Sequence, residues 1–263
     1  PEEQRRVAEK AVAVAEGQVF VLGGVMGTTT AGAVKTAQMY KEAGVDGLLV
    51  FPNAAFRNEP LDTRIPYDYH KSIADATGLP LVLFQLAPVF GGVDYSRETL
   101  LALLEIPEVI GIKEASFDAQ YYAFTKETVD MAERPITVLT GNDRFIAESI
   151  LLGATGGLLG FGAIGCKLVA EMLEKANSGH LEQVVALRPR LAKFARVIYK
   201  NPVLDYRARC KVALAHVGVI SPDLTYVRPP LLQISPEESA HIREALASAG
   251  MLQEEAQPLA MPA

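Results

Sequence analysis

Apolar residues in this chain form short runs separated by longer stretches of mixed character. Six runs rich in Val, Ile and Leu are apolar at nearly every position, which is typical of parallel strands buried on both faces. Their starts recur at intervals close to the roughly 30 residues of one strand-helix unit. The predicted strands are Gln18–Val25, Gly47–Phe51, Pro80–Leu86, Val109–Ala115, Ile136–Gly141 and Gly156–Gly162.

The segments between these strands have helical spacing and end in ordinary helix signals. Ser96 is an N-cap residue, Gly44 and Gly153 follow helix ends, and Pro107 and Pro135 lie just beyond two others. Alternating strands and helices predict a parallel α/β sheet, either closed into a barrel or open and doubly wound. The predicted helices are Thr30–Ala43, Ser96–Leu104, Asp118–Glu133 and Asp143–Leu152.

After the last predicted strand the pattern is purely helical. A helix also opens the sequence at Pro1, before the first predicted strand. Since a closed barrel needs eight strands, that alternative implies that the first two strands are absent from the chain shown. We then expect a barrel portion at residues 1–165, the last barrel helix with a helical bundle at 166–252, and a flexible tail at 253–263. The predicted C-terminal helices are Lys167–Asn177, Leu181–Tyr199, Tyr206–Val217 and Ser235–Ala249.

Composition narrows the class of protein. The 263 residues are 49% hydrophobic and 21% charged, which suits a large core and excludes fibrous or disordered classes. A formal charge of −6 argues against nucleic-acid binding. Cys166 and Cys210 show neither a disulfide framework nor metal-ligand spacing, and the four histidines form no ligand motif. With no apolar run as long as the roughly 18 residues of a membrane span, we predict a cytoplasmic protein without membrane partners.

One lysine stands out because it lies inside a predicted buried strand. Period-two alternation places Val109, Gly111 and Lys113 on one face, with Ile110, Ile112 and Glu114 on the other. If the first face is inside a barrel, desolvation disfavours the ammonium form and leaves a nucleophilic amine suited to Schiff-base chemistry. The alternative is a lysine at a strand end that pairs with Glu114 or with a carboxylate of a loop. The strand pattern by itself leaves both interpretations open.

The stretch Gly111-Ile112-Lys113-Glu114-Ala115-Ser116 resembles the Schiff-base lysine motif of the dihydrodipicolinate synthase / N-acetylneuraminate lyase family of pyruvate-type class I aldolases. The resemblance extends over nearly the whole chain, and its segments occur in the family's order. The other segments that carry it are Pro1–Gly17, Gly44-Val45-Asp46-Gly47, Thr140-Gly141-Asn142-Asp143, Leu152-Gly153-Ala154 and Val227-Arg228-Pro229-Pro230-Leu231.

This resemblance implies a (β/α)8 TIM barrel with a C-terminal helical bundle, assembled as a homodimer or homotetramer. It implies an aldolase or dehydratase that acts on a small 2-oxo acid through an imine on Lys113, without a metal or organic cofactor. Residues near the carboxyl ends of the strands are then expected to bind the substrate, because barrels place ligands there. They are Phe84, Gln85, Gly141, Asn142, Leu158, Gly160 and Phe161.

Three departures from the family pattern bear on activity. Phe84-Gln85-Leu86-Ala87-Pro88 stands where the family usually has a Tyr-Asn-x-Pro run, so the phenol that relays protons is missing. No arginine follows among Val89–Gly92, and Asn53-Ala54 replaces a Tyr-Tyr pair. We therefore do not expect dihydrodipicolinate synthase activity itself. Proton transfer would fall to a bound water, to Gln85 as a positioning group, or to the substrate.

Two other function classes are weighed against this lyase. A non-catalytic or regulatory member of the same fold would bind a 2-oxo acid without turnover, and the same departures motivate it. A phosphate- or nucleotide-binding protein has little support, because no P-loop follows a predicted strand.

Overall fold

The computed structural model describes residues 2–57, 59–160 and 162–252. The described strands are β1 (Leu22–Val25), β2 (Gly47–Val50), β3 (Leu81–Leu86), β4 (Val109–Ala115), β5 (Thr137–Thr140) and β6 (Gly156–Gly157). The described α-helices are α1 (Glu2–Ala15), α2 (Thr30–Glu42), α3 (Arg64–Thr77), α4 (Arg97–Leu104), α5 (Ala119–Val129), α6 (Ile146–Leu151), α7 (Gly162–Asn177), α8 (Leu181–Ile198), α9 (Tyr206–His216) and α10 (Pro236–Ser248).

All six predicted strands are confirmed, most of them shorter than expected. The first begins at Leu22 instead of Gln18, and the last spans only Gly156–Gly157. The expected N-cap of Ser96 is confirmed, because its hydroxyl accepts a hydrogen bond from the backbone N–H of Thr99 at 3.2 Å. Helix α3 was not predicted, although its buried face carries Tyr69, Ile73 and Ala74 at helical spacing.

Strand order decides between the two predicted sheet architectures. The strands lie in the order β1-β2-β3-β4-β5-β6, and each pair is parallel. A doubly wound sheet reverses its order at a switch point, whereas consecutive barrel strands follow the order of the chain. The doubly wound alternative is therefore wrong.

The chain divides into two compact units. The first contains the chain up to Asn142 together with Leu152–Gly157, and so holds the sheet and α1–α5. The second contains Asp143–Leu151 and the chain from Leu158 onward, including α6–α10. The expected barrel boundary after residue 165 stays a prediction, and the expected tail at 253–263 lies outside the described residues. None of the described helices is both long and apolar enough to cross a membrane.

The sheet of the first unit has two unlike faces. One face is a fully buried apolar layer that packs under helices: Tyr40 of α2 lies against Gly23, and Thr125 of α5 bonds to Gln85. The opposite face carries Leu49, Val82 and Gly111 in register across β2, β3 and β4. The apolar layer consists of Val25, Val50, Leu83, Ile112 and Val138.

A register shift in β4 corrects the predicted alternation. Leu81 pairs with Val109 but Val82 pairs with Gly111, so Ile110 is an extra residue, as in a β-bulge. Val109 therefore faces the side opposite to Gly111 and Lys113, contrary to the prediction. From Gly111 to Glu114 the predicted alternation is confirmed.

A buried guanidinium organises the second unit. Arg209 of α9 is 1% exposed, and its Nε donates to Glu238 Oε1 of α10 at 2.7 Å. Its Nη1 donates to the carbonyl oxygens of Ile198, Lys200 and Pro202, where α8 ends. One side chain thus joins three helices through charge-assisted hydrogen bonds.

Candidate functional site

Lys113 lies on the less covered face of β4, half-buried and between two apolar neighbours. Its register partners are Phe84 of β3 and Leu139 of β5. Its Nζ lies 4.2 Å from the centroid of the Phe84 ring, a distance at which an ammonium is attracted to an aromatic face. Phe84 in turn contacts Phe51 edge to face at 4.9 Å. The amine therefore lies against an aromatic wall formed by Phe51 and Phe84.

Gly141 gives the side chain of Lys113 the room that it needs. A Cβ at this position would lie 2.7 Å from Lys113 Cε and 2.8 Å from the Cβ of Ala115, closer than real atoms approach. The backbone of Gly141 does not have positive φ, so the close approach, and not the turn, requires glycine. Residue 141 thus borders the lysine directly.

The neighbouring side chain on β4 points to the other face and is fully buried. Glu114 Oε1 accepts hydrogen bonds from Ser116 N at 2.9 Å and from Gln85 Nε2 at 3.4 Å. Glu114 Oε2 accepts from Asn142 Nδ2 at 2.5 Å. Burial raises the pKa of the Glu114 carboxyl above its ordinary value, while these hydrogen bonds partly counter the rise.

Gln85 and Asn142, both predicted to bind substrate, belong to this Glu114 side. Gln85 Nε2 donates to Thr125 Oγ1 at 2.7 Å, and its Oε1 accepts from Tyr95 N at 3.2 Å. Asn142 Oδ1 accepts from Phe117 N at 2.8 Å. These bonds direct both amides away from the Lys113 face and give Gln85 and Asn142 a structural contact with Glu114. Their contact with substrate stays a prediction.

The remaining predicted site residues lie in the second unit or outside the described residues. Leu158 is half-buried, and Gly160 packs so closely on Tyr199 that a Cβ at residue 160 would overlap the phenol oxygen. Tyr199 hydrogen-bonds to Asp143 and stacks on Tyr206 with ring centroids 5.3 Å apart. Gly160 is thus required by packing in its own unit. Phe161 lies outside the described residues.

Sequence reasoning missed one cationic residue at the carboxyl edge of the sheet. Arg57 ends a short 3-10 helix that follows β2, and its Nη2 donates to the carbonyl of Gly91 in the loop after β3. Phe90 of that loop packs edge to face on Phe117, which follows β4, with centroids 5.4 Å apart. Among the described residues Arg57 forms no ion pair. Carboxyl ends of adjacent parallel strands share an edge, where ligands bind. This rule could have identified Arg57, which follows β2, as a candidate binding residue from the sequence.

Metal-ligating side chains are dispersed through the structure. Over the described ranges, no three His, Cys, Asp or Glu side chains are grouped so as to hold a metal ion.

Comparison with known sequences decides the family. The sequence profile of the dihydrodipicolinate synthetase family matches residues 1–249. The chain belongs to this family. A 4-hydroxy-tetrahydrodipicolinate synthase of Pseudomonas putida is 30% identical over 254 residues, which cover 95% of this chain and 82% of that protein. A relative of the same name from Thermodesulfovibrio yellowstonii has the same identity and coverage.

Solved structures of the dihydrodipicolinate synthetase family share the fold. The enzyme of Acinetobacter baumannii in complex with pyruvate is 25% identical and has a TM-score of 0.79, over 95% of this chain and 82% of that one. A prophage member from Escherichia coli K12 in complex with pyruvate is 22% identical with a TM-score of 0.85, over 95% of this chain and 82% of that one. The predicted family and the predicted fold class, a TIM-barrel fold with a C-terminal helical region, are confirmed.

Proposed function

We propose that this chain is a lyase that acts on a 2-oxo acid through an imine on Lys113. The observation that carries the proposal is the setting of the amine, which lies against the Phe84 ring with Gly141 clearing its path. The pyruvate complexes of two relatives support pyruvate as the first 2-oxo acid to test. Membership of the family supports the reaction class.

The chemistry balances with Lys113 as the covalent catalyst. Its neutral amine adds to the C2 carbonyl, and loss of water gives an iminium ion. In an aldol cleavage the C3–C4 bond breaks, the C4 hydroxyl loses its proton to a base, and the electron pair moves to the iminium nitrogen. The resulting enamine takes a proton at C3, and hydrolysis releases pyruvate. In a dehydration, the enamine formed by loss of a C3 proton expels hydroxide from C4.

The aromatic wall shapes which groups move protons. A phenyl ring donates no proton, so Phe84 cannot act as an acid or base. We assign proton transfer to water or to a hydroxyl of the substrate. The role of Phe84 is then to hold the cationic forms of Lys113, because the ammonium and the iminium both carry the charge that an aromatic face attracts.

We assign Arg57 to the far end of the substrate. Its guanidinium lies at the carboxyl edge where β2 and β3 end, and one donor bonds to Gly91 O. Arginine has five N–H donors, so others are available for a carboxylate. Leu158, Gly160 and Phe161 stay predicted substrate-binding residues. A homodimer or homotetramer and a cytoplasmic location also stay part of the proposal.

A binding protein without turnover is the second candidate. It is favoured by the phenylalanine at residue 84, because a ring without a hydroxyl lies beside the amine. Such a protein forms the imine but releases no product.

Reduction of the imine tests the proposal. The folded protein is incubated with pyruvate and borohydride, and peptides are mapped by mass spectrometry. We expect one reduced pyruvyl group on the peptide that contains Lys113, and none in Lys113→Met. Lys126→Met, which removes a lysine of α5 that pairs with Asp130, serves as the matched control and should label like wild type. Labelling of Lys126, or none on Lys113, would contradict the imine.

Product assays then separate the two candidates. Trapping with release of an aldehyde or a dehydrated acid from a set of 2-keto-3-deoxy sugar acids supports the lyase. Trapping with all of these acids but without product in any supports the binding protein.

A further inference from the structure

The most heavily bonded side chain next to Lys113 is on the opposite face of the same strand. Glu114 is 0% exposed, and its carboxylate accepts from Gln85, Ser116 and Asn142. These donors come from β3, from the residue after β4, and from the second residue after β5. One carboxylate therefore joins the carboxyl ends of three neighbouring strands.

Holding the sheet together does not require this arrangement. In the layer next to Glu114, the same face is filled by Leu83, Ile112 and Val138, which pack without polar groups. Burial of a carboxylate carries a desolvation penalty, which its hydrogen bonds must offset. Its best-attested benefit is a fixed register of the elements that it joins. The carboxylate lies where register affects the site.

The bonds of Glu114 reach Lys113 through Gly141. The carbonyl oxygen of Glu114 accepts from Gly141 N at 2.6 Å and from Asn142 Nδ2 at 3.1 Å. Gly141 is the residue against which Lys113 Cε lies. The position of the end of β5 along β4 therefore sets how closely the backbone of Gly141 borders the lysine stem.

We propose that Glu114 is a positioning residue: with Asn142 it fixes the carboxyl end of β5 against β4, and so sets the path of the Lys113 side chain between Gly141 and Phe84. The inference rests on the proposed function for its catalytic meaning, but its geometric content is independent of it.

Reversing one hydrogen bond tests the proposal. In Glu114→Gln, the new amide N–H meets a donor, either Asn142 Nδ2 or Ser116 N, because both oxygens of Glu114 accept. Asn142→Asp alone brings two carboxylates together. In the double variant, the amide now at position 114 can donate to the carboxylate now at position 142, which still accepts from Phe117 N. The bond from residue 142 to the Glu114 carbonyl oxygen is lost in Asn142→Asp and in the double variant alike, so rescue is partial. Thr128→Val is the matched control, since Thr128 is a buried residue of α5 whose hydroxyl donates to Phe124 O.

The first readout is the rate of borohydride trapping of pyruvate, normalised to the folded fraction. We expect each single variant to trap roughly tenfold or more slowly than wild type, since small displacements of reacting groups cost this much. The double variant should trap at least about threefold faster than either single variant, and Thr128→Val should stay within about twofold of wild type. Wild-type rates in the single variants, or no recovery in the double, would overturn the proposal.

A second readout separates this proposal from the proposed function. Carbamylation of Lys113 by cyanate, measured by peptide mapping against Lys126 in the same sample, reports the setting of the amine without any 2-oxo acid. We expect the ratio to change at least about threefold in Glu114→Gln and to return in the double variant. If wild type fails to trap pyruvate but this ratio behaves as expected, the imine is wrong and the positioning role stands. An unchanged ratio removes the positioning role whatever the trapping shows.

Discussion

The two faces of strand β4 differ in almost every respect although their side chains are adjacent in sequence. On one face Lys113 lies among Phe84, Leu139 and a glycine, with the amine over an aromatic ring. On the other face Glu114 accepts hydrogen bonds at both carboxylate oxygens from two side-chain amides and one backbone N–H group. The Lys113 face carries the proposed nucleophile, and the Glu114 face carries its support.

This contrast teaches that the largest cluster of polar groups in this sheet, the one around Glu114, is not where we propose that the reaction occurs. A reactive amine benefits from apolar neighbours, because few groups then compete with the substrate for it. A buried carboxylate needs the opposite environment, because each unfilled acceptor is costly. Substitutions on each face test this division of labour.

The largest expected effect is the difference in stability between two variants in which the residue on each face of β4 is replaced by methionine. Glu114→Met leaves the donors Ser116 N and Asn142 Nδ2 without a buried acceptor, so we expect the free energy of unfolding to fall by about 2–4 kcal/mol. Lys113→Met keeps an apolar side chain of similar length, so we expect the free energy of unfolding to change by less than about 1 kcal/mol. Urea unfolding of both variants measures the difference. Equal losses would show that the faces do not differ in this way.

The next effect concerns the space around the lysine. Gly141→Ala places a Cβ in the path of Lys113 Cε, so we expect imine trapping to slow by roughly thirtyfold, as misplaced reacting groups do. Gly162→Ala is the control, because its added Cβ would make only an ordinary contact at 3.8 Å with the Cβ of Leu159. A Gly141→Ala variant that traps pyruvate at the wild-type rate would break the link between the glycine and the nucleophile.

The aromatic wall should limit proton transfer more than imine formation. Phe84→Tyr adds a hydroxyl to the ring beside Lys113, so deuterium exchange at C3 of pyruvate should speed up about tenfold, somewhat below the usual range for a positioned acid-base group. The trapping rate should stay within about threefold, since the ring face is kept. Proton NMR of pyruvate in deuterated water measures the exchange. Unchanged exchange would mean that another group already moves this proton efficiently.

Arg57 adds a positive charge at the carboxyl edge of the sheet, where β2 and β3 end. Arg57→Gln should weaken the binding of a dicarboxylic 2-oxo acid such as 2-oxoglutarate by about five- to tenfold, less than the loss of a buried charge-assisted hydrogen bond because Arg57 is exposed. Pyruvate, which lacks the second carboxylate, should bind the variant almost as it binds wild type. Isothermal titration of both acids checks this selectivity, and an equal loss for both would assign Arg57 to loop structure instead.

The smallest effect is the pH dependence of the supporting face. Burial raises the pKa of Glu114, so the folded chain holds this proton at pH values where the unfolded chain has lost it. The bound proton therefore stabilises the folded chain fully below the ordinary carboxyl pKa. This stabilisation is lost as the pH rises through the raised pKa of Glu114. Relative to Glu114→Gln, wild type should lose stability from about pH 4.5 upward until the raised pKa is passed. Urea unfolding at a series of pH values checks this, and a constant difference would contradict it.

Much of the sheet could be predicted from sequence because buried parallel strands have an unambiguous composition. The runs around Leu48, Leu83 and Ile112 are rich in apolar residues, and all lie in strands. Boundaries were least accurate at Gln18 and Gly162, since the first strand begins later and the last strand ends earlier than predicted. Helix α3 was missed because its polar residues and an internal proline obscured its period.

The candidate site was predictable at Lys113 and less so around it. A lysine in an apolar strand is visible in the sequence, and the alternation from Gly111 correctly separated it from Glu114. Gln85 lies one residue from Phe84, and strand alternation alone would have sent it to the Glu114 face. Arg57 could not be paired with Gly91 from local pattern, because the two are 34 residues apart and meet only when β2 and β3 are adjacent.

The register shift in β4 has a consequence for how this chain tolerates changes in length. Ile110 is 40% exposed and has no partner of its own in the pairing of β4 with β3. Loss of that residue would regularise the ladder and leave Lys113 opposite Phe84. Loss of Ile112 would instead turn the lysine to the helix-covered side and exchange the two faces. We therefore expect deletion of Ile110 to keep Lys113 on its face of the sheet, and deletion of Ile112, two positions later, to move it to the other face.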